Sequence, residues 1–240
     1  MKKNTLKKII AAIVASAALF YIPAISGYCG IVNFDYETAT ATYSQVEGTA
    51  IYVEDGFSEE KMGDAIVGWT MVPAGVRVKL VEYGCGIYLS VTAQPEEGSN
   101  VVGLAHNEYS RSYNSETLEI TGVTCLSYII CLEKSSSLQG TVLHEAGHVL
   151  DKTISALSDQ YYSESSTEIS EMEEWKDIYA AYKDQLAAID SHTALNMYNT
   201  AEAFAECFRL TYQNPEALIA VCPAAYEFVL RMVEMYAPEG

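Results

Sequence analysis

His144, Glu145 and His148 fall within Thr141-Val142-Leu143-His144-Glu145-Ala146-Gly147-His148-Val149-Leu150, two histidines four residues apart with a glutamate beside the first. Four residues make about one helical turn, so both imidazoles leave one face and can hold a single zinc ion at about 2.0 to 2.1 Å. Glu145 is placed to accept a proton from metal-activated water instead of binding the metal. The bare pattern is common by chance, but Val142, Leu143, Val149 and Leu150 give it the apolar frame of a buried helix. It also takes two of the chain's four histidines. His106 and His192 have no comparable setting and read as ordinary loop residues.

A catalytic zinc needs a third protein ligand and one open position. The metzincin arrangement is ruled out, because Ile154 stands where its third histidine would be and Asp151 holds its glycine position. Glu168 has the spacing of a thermolysin-type ligand, about 20 residues past His148, but it lies in the polar run Ser163 to Ser170. The stronger candidate is in Asn199-Thr200-Ala201-Glu202-Ala203-Phe204-Ala205-Glu206-Cys207-Phe208-Arg209-Leu210. Glu202 and Glu206 are one turn apart on one face, and Phe204 and Phe208 can pack this helix on the first. Glu202 is then the ligand, and Glu206 a carboxylate that orients a histidine or the backbone.

The elements that must position these groups divide the chain. From about residue 49 to 133 there are short β-type runs: Ala50 to Val53, Val76 to Val81, Ile87 to Val91, Leu118 to Ile120 and Leu126 to Leu132. Gly, Pro, Asn and Asp separate them. From Ser135 the period turns helical, with helices predicted over about 137–155, 170–190, 200–213 and 223–236. Ser136 with Gln139, and Asn199 with Glu202, have the spacing of capping boxes. Gln160 to Ser170 reads as a loop. The expectation is one α+β domain over 28–240, β-rich to 134 and helical from 135.

HEAGH at 144–148, EAFAECFRL at 202–210 and Cys222-Pro223-Ala224-Ala225-Tyr226-Glu227-Phe228 together resemble the catalytic domain of the anthrax lethal factor family, which includes the secreted Pro-Pro endopeptidases. The likeness covers roughly residues 75 to 236. It implies a gluzincin-like site with His144, His148 and Glu202 on one zinc ion and Glu145 as general base and acid. It also implies a small mixed sheet beside the active-site helix, whose edge strand holds an extended peptide by main-chain pairing. Leu126–Leu132 is the strand expected there. The family's oxyanion-binding tyrosine, about seven residues before the third ligand, is replaced by Leu195. Tyr198 is the candidate substitute; Tyr161 or Tyr162 could act instead, or the role is vacant.

The expected activity is therefore zinc-dependent cleavage of peptide bonds in a protein or peptide substrate. Two other readings stay open: a catalytically inactive zinc-binding module of the same fold, and a thermolysin-like hydrolase with Glu168 as third ligand. Which bonds are cut is not written in the sequence.

Composition sets the setting. The first 27 residues carry four lysines, no acid and an apolar run broken by Tyr21 and Pro23, which is the layout of a secretory signal peptide. Its removal takes the net charge from −18 to −22, which argues against nucleic acid and anionic membrane as partners. A secreted monomer is expected. The six cysteines, at 29, 85, 125, 131, 207 and 222, permit disulfides whose connectivity spacing does not reveal.

Overall fold

The computed structural model describes residues 31, 32, 34, 36, 42–95, 97, 100–158 and 168–239. The predicted signal segment and Cys29 lie outside them. Short strands come first: β1 (Ile31–Val32), β2 (Tyr43–Gln45) and β3 (Ile51–Glu54). Two helices follow, α1 (Glu59–Met71) and α2 (Ala74–Glu82), then β4 (Ile87–Ser90), β5 (Gln94–Pro95), β6 (Gly103–His106), β7 (Tyr109–Tyr113), β8 (Ile120–Cys125) and β9 (Tyr128–Leu132).

The central sheet is five-stranded and mixed, in the order β2-β3-β4-β9-β6. β3, β4 and β9 run parallel, whereas β2 and β6 pair antiparallel at the two ends. Parallel interior strands are covered on both faces, which is why Ile87–Ser90 and Ile129–Leu132 are buried throughout. Ile51, Ile87, Leu89, Ile129 and Cys131 face the helices. On the opposite face Tyr52 stacks on Tyr88 at 5.1 Å, and Tyr36 and His106 stack on Tyr128 at 5.0 and 4.7 Å. At the end of β3 the Glu54 carboxylate accepts bonds from Ser90, Val91, Thr92 and Tyr43 and so ties β2 and β3 to the turn after β4.

The His144-Glu145-Ala146-Gly147-His148 motif lies on α3 (Leu138–Val149), which continues without a break into a π-helical turn, Leu150–Ile154, and then α4 (Ser155–Ser158). Ser137 caps α3 by accepting the Gly140 N–H, one residue later than the predicted Ser136. The Asp64 carboxylate of α1 accepts from Leu138 and Gln139 at 2.6 and 3.2 Å, placing negative charge where the helix dipole favours it. A single 3-10 turn, Ile169–Glu171, then leads to α5 (Glu173–Ala187), α6 (Ser191–Asn196), α7 (Thr200–Gln213), α8 (Pro215–Val221) and α9 (Pro223–Tyr236). Trp175, Phe204 and Phe228 form the fully buried hinge of α5, α7 and α9, and the Trp175 indole donates to the Thr200 carbonyl at 2.8 Å. Among the described residues no helix is long and apolar enough to cross a membrane.

Three expectations need correction. Val76–Val81 is helical, inside α2, so the half before 134 is not purely β. Its Val-Arg-Val-Lys pattern alternates like a strand, but Val76 and Leu80, one turn apart, are buried while Val78 and Val81 are exposed. Leu118 is not in a strand: it stands at φ +59° in the turn before β8. Finally, β9 has β4 on one side and β6 on the other, so Leu126–Leu132 is not an edge; the edge beside α3 is β6.

Candidate metal centre

Two helices supply the cluster. His144 and His148 leave one face of α3, with ring centroids 4.9 Å apart. Glu202 sits in the first turn of α7, whose start is fixed by Asn199 accepting the Glu202 N–H at 2.8 Å. Its carboxylate lies 3.2 Å from Nε2 of His144 and 3.5 Å from Nε2 of His148. The ligand atoms of His144, His148 and Glu202 all lie within 4.8 Å of one another, a span that admits one cation. Two imidazoles and one carboxylate, a neutral-nitrogen and hard-oxygen set, suit zinc.

The approach of α7 to α3 depends on Gly147, the second spacer residue of the motif. A Cβ there would stand 2.8 Å from the Ala205 Cα, closer than real side chains come. The spacing of the ligands is thus set backbone against backbone.

Glu206, one turn beyond Glu202, is fully buried and gathers the surrounding polar groups. Its Oε2 meets Nδ1 of His144 at 3.1 Å; its Oε1 receives the Arg209 guanidinium at 2.6 Å, Thr193 at 2.9 Å and Nδ1 of His192 at 3.2 Å. Burial would raise the pKa of both glutamates, but hydrogen bonds from His144, with His148 on Glu202 and with His192 and Arg209 on Glu206, hold each well below the usual carboxylate range. Burial would likewise strip the proton from His144, and the two carboxylates on either side reverse that and draw its pKa up.

Glu145 is buried and points away from this network toward the free edge of the sheet. Leu132 donates to the Val102 carbonyl, so by antiparallel alternation Gly103 and Ala105 of β6 turn their main-chain groups outward. The Ala105 N–H donates to the Glu145 carboxylate. A Cβ on Gly103 would lie 2.6 Å from Oε1 of Glu145, so only glycine leaves that carboxylate its place. Burial pushes the Glu145 pKa up, against the opposing pull of the two histidines. A carboxyl raised in this way takes up a proton more readily than an ordinary glutamate.

The cluster thus unites His144, His148 and Glu202, with Glu145 alongside. Glu168 is not in it: it precedes the 3-10 turn. Tyr198 stands in the loop before α7 with 58 % of its surface exposed. Tyr161 and Tyr162 lie outside the described residues. Two histidines taken for loop residues are elsewhere: His106 ends β6, and His192 is on α6 against Glu206. Sequence reasoning missed α6, although Asp190 and Thr193 carry an N-cap signature, with the Asp190 side chain accepting the Thr193 N–H at 2.7 Å. It also missed Arg209, whose signal was a lone cation between Phe208 and Leu210 three residues after a glutamate.

This is an α+β protein with a part-buried His-His-Glu cluster, shared between two helices, that could hold a metal ion. The family described as anthrax toxin lethal factor, N- and C-terminal domain, matches residues 51–232, and the chain belongs to it. No curated protein matches the chain.

Proposed function

We propose that the protein is a zinc metalloendopeptidase with a gluzincin-like centre. The observation that carries this reading is the convergence of His144, His148 and Glu202 beside a buried glutamate that touches the sheet's free edge. His144, His148 and Glu202 would hold a zinc ion, which when bound would supply Lewis acidity toward a carbonyl and lower the pKa of nearby water to about 7. Glu145 takes the proton of the attacking water and delivers it to the leaving amine. Glu206 fixes the ring of His144 through Nδ1 and so presents Nε2 to the cation. The outward main-chain groups of Gly103 on β6 hold the substrate extended across the site, while those of Ala105 are engaged by Glu145 and Asn107. Tyr198 is assigned as donor to the developing oxyanion. Export after cleavage near Ser26 or Gly27, and action as a monomer on protein or peptide substrates, belong to the same proposal.

Metal content tests it: about one zinc per chain in the wild type, with most lost in Glu202→Ala, is expected, followed by cleavage within a peptide library. Glu202→Ala that keeps its zinc would overturn the ligand set. The exposed Leu195, at the position of the family's tyrosine, favours a second reading, a non-catalytic zinc-binding module. That reading predicts bound zinc and no cleavage of any library member.

A further inference from the structure

We infer that Cys85 and Cys125 are a cross-linking pair, closed by a small disulfide of the oxidised-glutathione class into one bond that fastens the β7–β8 hairpin to the start of β4. Their Sγ atoms are 3.9 Å apart although the residues are 40 apart in sequence. Both positions are held by neighbouring strands. Cys85 precedes β4, where the Gly86 carbonyl accepts the Ile129 N–H of β9 at 2.8 Å, and Cys125 ends β8, three residues ahead of β9. Closing the pair brings the sulfurs from 3.9 Å to the bonding distance of about 2.05 Å.

The pair also has an entry and a resolving partner. Among the described cysteines, Cys85, Cys131, Cys207 and Cys222 are buried and Cys125 is part exposed. The Cys85 thiol donates to Cys125 and, with the Ser127 N–H and hydroxyl, outweighs burial and lowers the Cys125 pKa to about 6. As the part-exposed member of the pair, Cys125 is the sulfur that meets a small disulfide first, reacting as its thiolate. It attacks one sulfur, the S–S bond of the reagent breaks, and one small thiolate leaves, so that Cys125 carries a mixed disulfide. Cys85 then gives its proton to that thiolate and attacks the Cys125 sulfur, expelling the second small thiolate. Two protein thiols are oxidised and one small disulfide is reduced to two thiols.

The bond has a clear mechanical meaning. The base of the hairpin is already tied to the active-site helix, since Ser127 meets the Thr153 hydroxyl at 2.9 Å and Thr153 donates to Asn107. Cross-linking adds a second tie on the other side and encloses β4, β5, β6, β7 and β8 in one loop. The inference does not depend on the metal.

The full chain is incubated with oxidised glutathione, and with a phosphine reductant as control, then digested without reduction by trypsin and chymotrypsin. Chymotryptic cuts at Leu126 and Tyr128 separate Cys125 from Cys131. A peptide joining Cys85 to Cys125 is expected, with Tm of the oxidised protein higher by roughly 5 °C or more. Cys125→Ser should abolish both effects, and Cys85→Ser should stop at a glutathione adduct on Cys125. Wild-type Cys125 left free, left as that adduct, or joined to another cysteine would overturn the inference, as would a cross-link without a rise in Tm.

Discussion

Nδ1 of His144 lies 3.1 Å from Oε2 of Glu206, a carboxylate with none of its surface exposed. Because Glu202 faces Nε2 of the same ring, the histidine is held from both ends and cannot flip or slide. In Glu206→Gln zinc affinity should fall about 10- to 100-fold. The change also leaves the buried Arg209 with only the Asp190 carboxylate, 3.5 Å away, as counter-charge, at a cost of about 1–3 kcal/mol. Chelator competition reads the first effect and urea unfolding the second. Wild-type affinity in a folded variant would deny Glu206 its orienting role.

Glu145→Gln should retain metal and Tm, because burial already disfavours charge at this position. Turnover of a fluorogenic peptide should drop at least about 100-fold, the scale of a lost general base. Proteolysis at the wild-type rate would remove Glu145 from the mechanism.

Gly103→Ala puts a methyl group 2.5 Å from Cγ2 of Thr141 and 2.6 Å from Oε1 of Glu145. Either β6 or the carboxylate must shift. A stability loss of about 1–3 kcal/mol is expected, with kcat/KM down about 10-fold or more and zinc stoichiometry unchanged. Calorimetry and steady-state kinetics on one preparation decide it. Full activity would mean that Glu145 has room that the structure does not give it.

Glu54 provides the pH prediction. Burial would raise its pKa, but bonds from Thr92, Ser90 and Val91 bring it to about 2, below the ordinary 4.5. Folding thus favours the ionised form: the contribution is complete above about pH 4.5 and lost as pH falls toward 2. Glu54→Gln should cost about 1–2 kcal/mol at pH 7, at the low end because the carboxylate is only part buried. Its difference from wild type in urea unfolding should shrink between pH 5 and pH 3. A pH-independent gap would contradict the assignment.

How much of this was legible beforehand depends on how local the determinants are. α7 and α9 match their predicted spans, 200–213 and 223–236, because Asn199 caps one, Pro223 opens the other, and each has an apolar stripe of helical period. The meeting of His144, His148 and Glu202 was legible for the same reason, as the two histidines are a turn apart and all three lie in helices framed by apolar residues. The edge strand was not. Whether β6 or β9 is outermost is decided by pairing across 25 residues, and β6 is a Gly-Leu-Ala-His segment with little β character of its own. Nor were the neighbours of Glu206, which converge from Asp190 to Arg209 only after α6 folds back on α7. α2 was misread because Val, Arg, Val and Lys satisfy a period of two, and only tertiary burial of Val76 and Leu80 reveals the period of four.

The π turn at Leu150–Ile154 begins two residues after His148 and holds one residue more per turn than the helix before it. Removing one residue there would rotate the rest of that continuous helix, α4, by about 100° relative to His144 and His148. The turn therefore acts as a phase joint. Upstream, helix register is fixed by Glu202 and Glu206 facing His144; downstream, Asp151 accepts the Ser170 N–H and Ser158 donates to the Tyr236 carbonyl in a register of their own. A change of length between the π turn and α7 that leaves both helices in place remodels that side of the molecule without moving His144, His148 or Glu202, so one half of a continuous helix is freer to diverge than the other.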